Sequence, residues 1–216
     1  VVPLTGENRV LAFYGLKVIN RCPRVGIEAI LSYSKIKPEP NAKLYFNREL
    51  TISDLVFLVG PRINAAGRME SGGKAVELLK SNSREEVEKI AAEINQNNEA
   101  RKDLDKKATE EAKKMLTSCA DLTSKKTTVV YGKDWHKGVI GIVASRLIEK
   151  YYKPTIVFTK SNDLITGSAR SVKDFDIYAA IDSCSDLLTN FGGHKFAAGL
   201  SMHINDLPEF QERFEA

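Results

Sequence analysis

From Ser83 to Thr117 the chain carries neither glycine nor proline, so nothing in that span interrupts a helix once it has started. Ser83 reads as its opening, and Glu85 and Glu86 place negative charge in the first turn, where the helix dipole favours it. The apolar positions Val87, Ile94, Leu104, Ala108 and Met115 form only a thin stripe, broken by Asn97, Asn98 and Arg101. A helix this long and this polar suits a rigid strut between two modules better than a core element. The chain is therefore divided into residues 1–82, the connecting helix 83–118, and residues 119–216. Asp103 and Asp105 lie within the strut, and on a helix two residues so spaced point to nearly opposite sides. They are not taken as a metal pair.

The flanking modules differ in texture. Ahead of the strut, Val1–Thr5 reads as the end of a strand, Glu7–Asn20 and Val25–Ser34 as amphipathic helices, and Lys35–Leu50 as a connection. Thr51-Ile52-Ser53-Asp54 is a capped start for a short apolar helix, Leu55–Val59, which Gly60-Pro61 should end. Gly60–Met69 then reads as a compact turn and Gly73–Lys80 as a short helix. Beyond the strut, strands and helices alternate: strands at Thr127–Tyr131, Thr155–Thr159, Leu164–Ser171 and Gly199–Ile204, helices at Gly138–Tyr151, Ile177–Leu188 and from Leu207 onward. That order predicts an α/β domain.

Bulk properties exclude more than they assign. A hydrophobic fraction of 43% can build a core, and 28% charged residues is ordinary. Three widely spaced cysteines, Cys22, Cys119 and Cys184, form no C-x-x-C pair, which suits a reducing compartment and speaks against a disulfide framework or zinc site. No apolar run approaches a membrane span and no signal peptide opens the chain, so a cytoplasmic protein without membrane contact is expected. Beginning at Val1 in what reads as mid-domain, the chain is expected to be an excerpt. The net charge of +4 arises entirely in residues 1–118, the remainder being balanced at 12 of each sign. A surplus this diffuse does not mark a nucleic-acid binder; any phosphate binding must come from a few placed residues.

Four stretches supply such residues. In Phe191-Gly192-Gly193-His194-Lys195-Phe196-Ala197-Ala198-Gly199, paired glycines leave the backbone bare. A short helical pattern after them would aim free amides at an anion, with His194 adding a side-chain donor. The alternative is a glycine-rich turn before a strand. Gly60–Met69 carries Arg62, Asn64 and Arg68; the arginine fork matches phosphate, unless both arginines pair with acids such as Glu70. His136-Lys137-Gly138-Val139-Ile140-Gly141 leads into a buried helix on which Arg146 needs a counter-anion, either a protein carboxylate or a ligand phosphate. At the end of the Leu164–Ser171 strand, Ser168 and Arg170 are two apart and share a face, joining hydroxyl to guanidinium as a phosphate oxygen requires, unless this is a solvent-facing edge strand. No D-H-H, H-E-x-x-H, P-loop or G-x-S-x-G motif is present. Phosphodiester hydrolysis usually needs metal ions, so the chain reads as part of a site.

Taken together, these stretches resemble the DHH phosphoesterase family, and within it the single-stranded-DNA-specific exonucleases. Gly60–Arg68 is similar to a G/A-P-R-x-N-A-A-G-R motif, His136–Leu147 to H-x-G-V-x-G-I-V-A-S-R-L, Gly167–Ser171 to G-S-x-R-S, and Gly192–Gly199 to G-G-H-x-x-A-A-G. The resemblance implies an α/β protein of two lobes joined by a long helix. The first lobe would be the mostly helical close of a catalytic domain, the second a DHH-associated domain with a mixed sheet, and the active site would lie in the cleft between them. It implies degradation of single-stranded DNA from the 5′ end, in DNA repair and recombination. Mn²⁺ or Mg²⁺ would be bound by residues absent from this chain, which alone should be inactive. Partners would be single-stranded DNA with a 5′ end and, in the cell, a single-strand-binding protein or helicase.

By position, Arg68, Arg146, Ser168 and Arg170 would grip the 5′-phosphate or adjacent backbone. Arg62 and Asn64 would line the same groove or brace the turn. His194, with the Gly192 and Gly193 amides, would face the scissile phosphate and stabilise its developing charge. His136 would position a helix start, and Trp135, Phe191 and Phe196 are candidate stacking platforms. Two other readings stand beside this one: a DHH-family phosphodiesterase for short oligonucleotides or cyclic dinucleotides, and a non-catalytic nucleic-acid-binding module.

Overall fold

The computed structural model describes residues 3–41, 43–118 and 124–216. It divides into two compact units, Val1–Arg101 and Lys102–Ala216, and the division falls inside the long helix α6, Arg84–Thr117. Each unit thus builds its core on a different half of that helix. Cys119 and the strand expected at Val1 and Val2 lie outside the described residues, and Pro3–Thr5 forms no strand.

The first unit is helical: α1 (Gly6–Arg21), α2 (Val25–Leu31), α3 (Ile52–Asp54), α4 (Gly60–Met69), α5 (Gly73–Lys80) and the start of α6. Ile30, Leu31, Phe46, Leu50 and Leu78 pack with Val87, Ala91 and Ile94 of α6. Buried Asn20 anchors the 35–50 connection. Its amide donates to the Leu50 carbonyl at 3.0 Å and accepts from the Leu50 N–H at 2.7 Å, so neither end is left without a partner. Thr51 and Asp54 form the expected capping box.

Gly60-Pro61 does not end the helical stretch that precedes it. A proline inside a helix lacks its N–H and crowds the carbonyl four residues back. Here Leu55–Val59 widens into a π turn, in which the Gly60 N–H reaches the Leu55 carbonyl, and Pro61 passes into the first turn of α4, a position it tolerates. Gly60–Met69 is therefore a helix, not a turn.

The second unit is a mixed five-stranded sheet in the order β1-β2-β3-β5-β4: β1 (Thr128–Tyr131), β2 (Thr155–Ser161), β3 (Leu164–Arg170), β4 (Asn190–His194) and β5 (Ala197–Met202). Strands β1 and β2 are parallel, linked through α7 (Ile140–Tyr151), and all other neighbours are antiparallel. One sheet face buries Ile156, Phe158, Ile165, Leu200 and Met202 against α8 (Ile177–Asp182) and α9 (Leu207–Glu215). On the other, Val130 and Val157 meet Val139, Val143 and Leu147 of the α7 region, with Ala108, Ala112 and Leu116 of α6. Leu116 takes the place expected of Met115, which is exposed.

Two local expectations are corrected. The helix from Ile177 stops at Asp182, a 3-10 turn covering Ser185–Leu187. No helix follows Gly192-Gly193: these residues belong to β4, which turns at His194–Ala197 into β5.

Glu28 ties α2 to the start of α6. The Arg84 guanidinium donates to both of its oxygens at 3.0 Å, and the Tyr45 hydroxyl donates at 2.8 Å. The Arg84 bonds hold its carboxyl below the usual range against burial, helped by Tyr45. The unfolded chain therefore takes up this proton more readily, and the stability the clamp supplies at neutral pH is lost as pH falls through the folded value. We expect Glu28→Gln to lower the unfolding free energy read from urea titration at pH 7 by on the order of 1 kcal/mol at most, because Arg84 is solvent-exposed. The difference from the parent should shrink below about pH 4. A constant difference down to acid pH would contradict the clamp.

Candidate nucleic-acid interface

Residues paired directly across antiparallel strands point to the same face, and the register of β3, β5 and β4 therefore lays out three rows. The first is Arg170, Ala197 and His194; the second Ser168, Gly199 and Gly192; the third Thr166, Ser201 and Asn190. Val157 is opposite Ser168, so these rows lie on the α7 side. Helix α7 packs on β2 and β3, whereas Asn190, Gly192, His194 and Gly199 on β4 and β5 are exposed.

Ser168 and Arg170 meet as their spacing predicts, with Arg170 Nη1 donating to Ser168 Oγ at 3.1 Å and to the Ala169 carbonyl at 2.7 Å. They lie against the first turn of α7: a Cβ on Gly141 would stand 2.8 Å from Arg170 Nη2 and 2.9 Å from Ser168 Oγ. Gly141 is what lets strand and helix come this close. The first amides of a helix have no acceptor within it and carry its positive end. A guanidinium and a hydroxyl thus lie beside the positive end of a helix.

His136 builds the approach to that turn. Its Nδ1 accepts the Gly138 N–H at 3.0 Å, and its carbonyl accepts the Val139 N–H at 3.0 Å. His194 repeats the device, its Nδ1 accepting the Phe196 N–H at 3.2 Å. In each ring this leaves the neutral imidazole proton on Nε2, as a donor. His194 is exposed in the same row as Arg170.

The two glycine amides act differently from expectation. Successive groups along an extended strand alternate in direction, so the Gly192 and Gly193 amides do not converge on one oxygen. Gly193 is needed by the hairpin itself, with φ +153° and a would-be Cβ running into the Ala197 carbonyl.

Arg146 has its counter-anion inside the protein. Its Nη2 lies 2.7 Å from Oδ2 of Asp105 on α6, whose side chain is fully buried. Asp105 is thus a partner for α7 across the second unit's core. Nearly half of the Arg146 side chain stays exposed. In the first unit, Arg62 is buried and spent on the fold. It donates to Asn95 Oδ1 at 3.0 Å, the Leu58 carbonyl at 2.6 Å and the Tyr33 carbonyl at 3.0 Å, so it braces α4 and does not face a groove. Glu70 pairs with Lys74. Asn64 and Arg68, one turn apart on α4, are both exposed.

Of the aromatic candidates, Trp135 is buried over Gly132 and donates to Glu111 at 2.7 Å. Phe191 packs on the core. Phe196 alone of the three is exposed, at the hairpin turn. Cys22 and Cys184 are free thiols. Among the described residues, no three His, Cys, Asp or Glu side chains gather as a metal site, and no helix is long and apolar enough to cross a membrane.

The DHHA1 domain family matches residues 124–216, the segment that holds the three rows. Over 99% of its length the chain is 36% identical to the single-stranded-DNA-specific exonuclease RecJ of Bacillus subtilis and 34% identical to that of Escherichia coli. The crystal structure of RecJ from Thermus thermophilus in complex with Mg²⁺ superposes over the whole chain with a TM-score of 0.83 at 31% identity. Over its whole length the chain is similar to RecJ. It spans 26% and 37% of the two curated relatives and 32% of the crystallised one. Within this RecJ-like segment, the motif residues Ser168, Arg170 and His194 share one sheet face. The sequence had not pointed to Asp105 as the partner of Arg146 or to the packing of Ser168 and Arg170 against Gly141. The only signal for Asp105 was a carboxylate on the helix stripe.

Gly141→Ala should leave melting temperature unchanged or slightly raised, since alanine is favoured over glycine in a helix by about 1 kcal/mol and only flexible side-chain ends must move. Binding of a 5′-phosphorylated single strand should weaken severalfold, because the methyl displaces Arg170 and Ser168. Unchanged binding by this variant would contradict the assignment.

Proposed function

We propose that this chain is the substrate-gripping part of a metal-dependent, single-stranded-DNA-specific 5′→3′ exonuclease, and that Ser168, Arg170 and the first turn of α7 hold the 5′-phosphate. The observation that carries the reading is the contact of Ser168 and Arg170 with Gly141. It supplies neutral, cationic and helix-dipole donors to one oxygen cluster, the combination that charge-assisted phosphate binding uses. His194, in the same row as Arg170 and with Nε2 as donor, would hydrogen-bond a phosphate oxygen and stabilise the charge that develops as the ester is cleaved. Arg146, whose side chain is nearly half exposed, would add long-range attraction for the strand. On the first unit, Asn64 and Arg68 would offer separate contacts to the phosphate backbone.

The RecJ crystal structures from Thermus thermophilus were determined with Mg²⁺ and with Mn²⁺. In this proposal the ligands of such an ion lie outside the chain, whose sequence carries no D-H-H motif. Action in DNA repair and recombination in the cytoplasm, beside a single-strand-binding protein or a helicase, belongs to the same proposal and is supported by the likeness to RecJ.

Fluorescence anisotropy of the 216-residue chain with a labelled single strand tests the reading. A 5′-phosphate should tighten binding by about tenfold over a 5′-hydroxyl, affinity should fall with salt, and Arg170→Ala should abolish the preference while leaving the fold intact. Equal affinity for the two ends would overturn the phosphate assignment.

A further inference from the structure

Beyond Ser168 the second and third rows outline an open groove of about 330 Å³, bounded by Thr166, Asn190, Gly192, Gly199, Leu200 and Ser201. It continues along the strands directly from Arg170 and His194, each row lying two residues, or about 7 Å, from the last. Its chemistry changes along that path. The first row is cationic and donor-rich, whereas the third has no charge and consists of two hydroxyls and a carboxamide. Those hydroxyls are only loosely engaged. Ser201 Oγ reaches Thr166 Oγ1 at 3.4 Å and Thr166 Oγ1 reaches the Leu200 carbonyl at 3.4 Å, both beyond the ordinary range for hydroxyl bonds.

The floor is bare for no reason internal to the fold. A Cβ on Gly192 would meet nothing within 4 Å, and one on Gly199 would make only ordinary contact, at 3.9 Å, with the Gly167 carbonyl. Neither has the positive φ that distinguishes Gly193. Strand propensity disfavours glycine, so two glycines facing each other across β4 and β5 weaken the sheet with no compensating contact. What they do provide is a flat stretch of peptide backbone between the phosphate site and the neutral row.

We propose that this groove is a nucleoside slot: the sugar and base of the nucleotide whose phosphate sits at Ser168 and Arg170 lie on the Gly192–Gly199 floor, with the base edge at Thr166, Asn190 and Ser201. The inference rests on the phosphate reading above and extends it from the charged end of one nucleotide to its neutral end. Hydroxyls and a carboxamide both donate and accept, so the slot takes any of the four bases. It thereby requires a base without selecting one.

The test compares single strands that carry the same 5′-phosphate and differ only in whether the terminal residue has a base or is abasic. The parent chain should bind the intact end about fivefold more tightly than the abasic end. Gly199→Val should remove that increment, and circular dichroism should show an unchanged fold. Should Gly199→Val fail to fold, the double variant Thr166→Val, Ser201→Ala keeps side-chain volume and should also reduce the increment. Equal binding of intact and abasic ends by the parent, or an undiminished increment in a folded Gly199→Val chain, would overturn the slot. A chain that prefers the 5′-phosphate yet ignores the base would sink the slot and leave the phosphate reading standing. Sensitivity to the base without any phosphate preference would overturn the phosphate reading and, with it, the slot as placed.

Discussion

The approach of α7 to β3 at Gly141 is the contact on which the candidate site depends. A helix N-terminus alone is a diffuse positive end, and a serine and an arginine on a strand are ordinary surface chemistry. The proposed anion site requires them within van der Waals reach of one another, which the missing side chain at residue 141 permits. The apolar faces of α7, against Val130 and Val157, hold the two elements in that position. The Asp105–Arg146 pair adds an ionic tie between α6 and α7. Because Asp105 is fully buried, Arg146 compensates a charge that would otherwise be costly to keep there. Its positive charge therefore has a structural use whatever it does for a ligand.

The four glycines around the site divide by what the fold demands of them. Gly141 is required by a close approach and Gly193 by its backbone angle and the Ala197 carbonyl, while Gly192 and Gly199 are required by neither. Glycines that cost sheet stability and relieve no clash are informative, since packing alone does not call for them. In the first unit the same distinction applies to Arg62. Its guanidinium binds two carbonyls and Asn95 inside the fold, so a charged residue that looks like a ligand for phosphate serves as a brace around the π turn.

The long helix, the α/β alternation after it and the Thr51–Asp54 cap were legible in the sequence because each rests on local signals: an uninterrupted run, hydrophobic period and capping chemistry. Ser168 and Arg170 were legible as a pair because strand periodicity alone puts them on one face. Pro61 was misleading, since the usual helix-breaking effect of proline is absorbed by a π widening that only the chain's actual hydrogen bonds reveal. Strand β4 was missed because Asn190, Gly192 and Gly193 have poor strand propensity, and its pairing with β5 is what makes it a strand. The Asp105–Arg146 pair joins residues 41 apart in sequence, a separation at which periodicity carries no information.

Amide chemical-shift mapping of the 216-residue chain during titration with inorganic phosphate tests the central claim most directly, since it requires neither catalysis nor a nucleotide. The account predicts that Ile140, Gly141, Ser168 and Arg170 shift together with one binding constant. Saturable shifts confined to other parts of the chain, with these four unmoved, would contradict it.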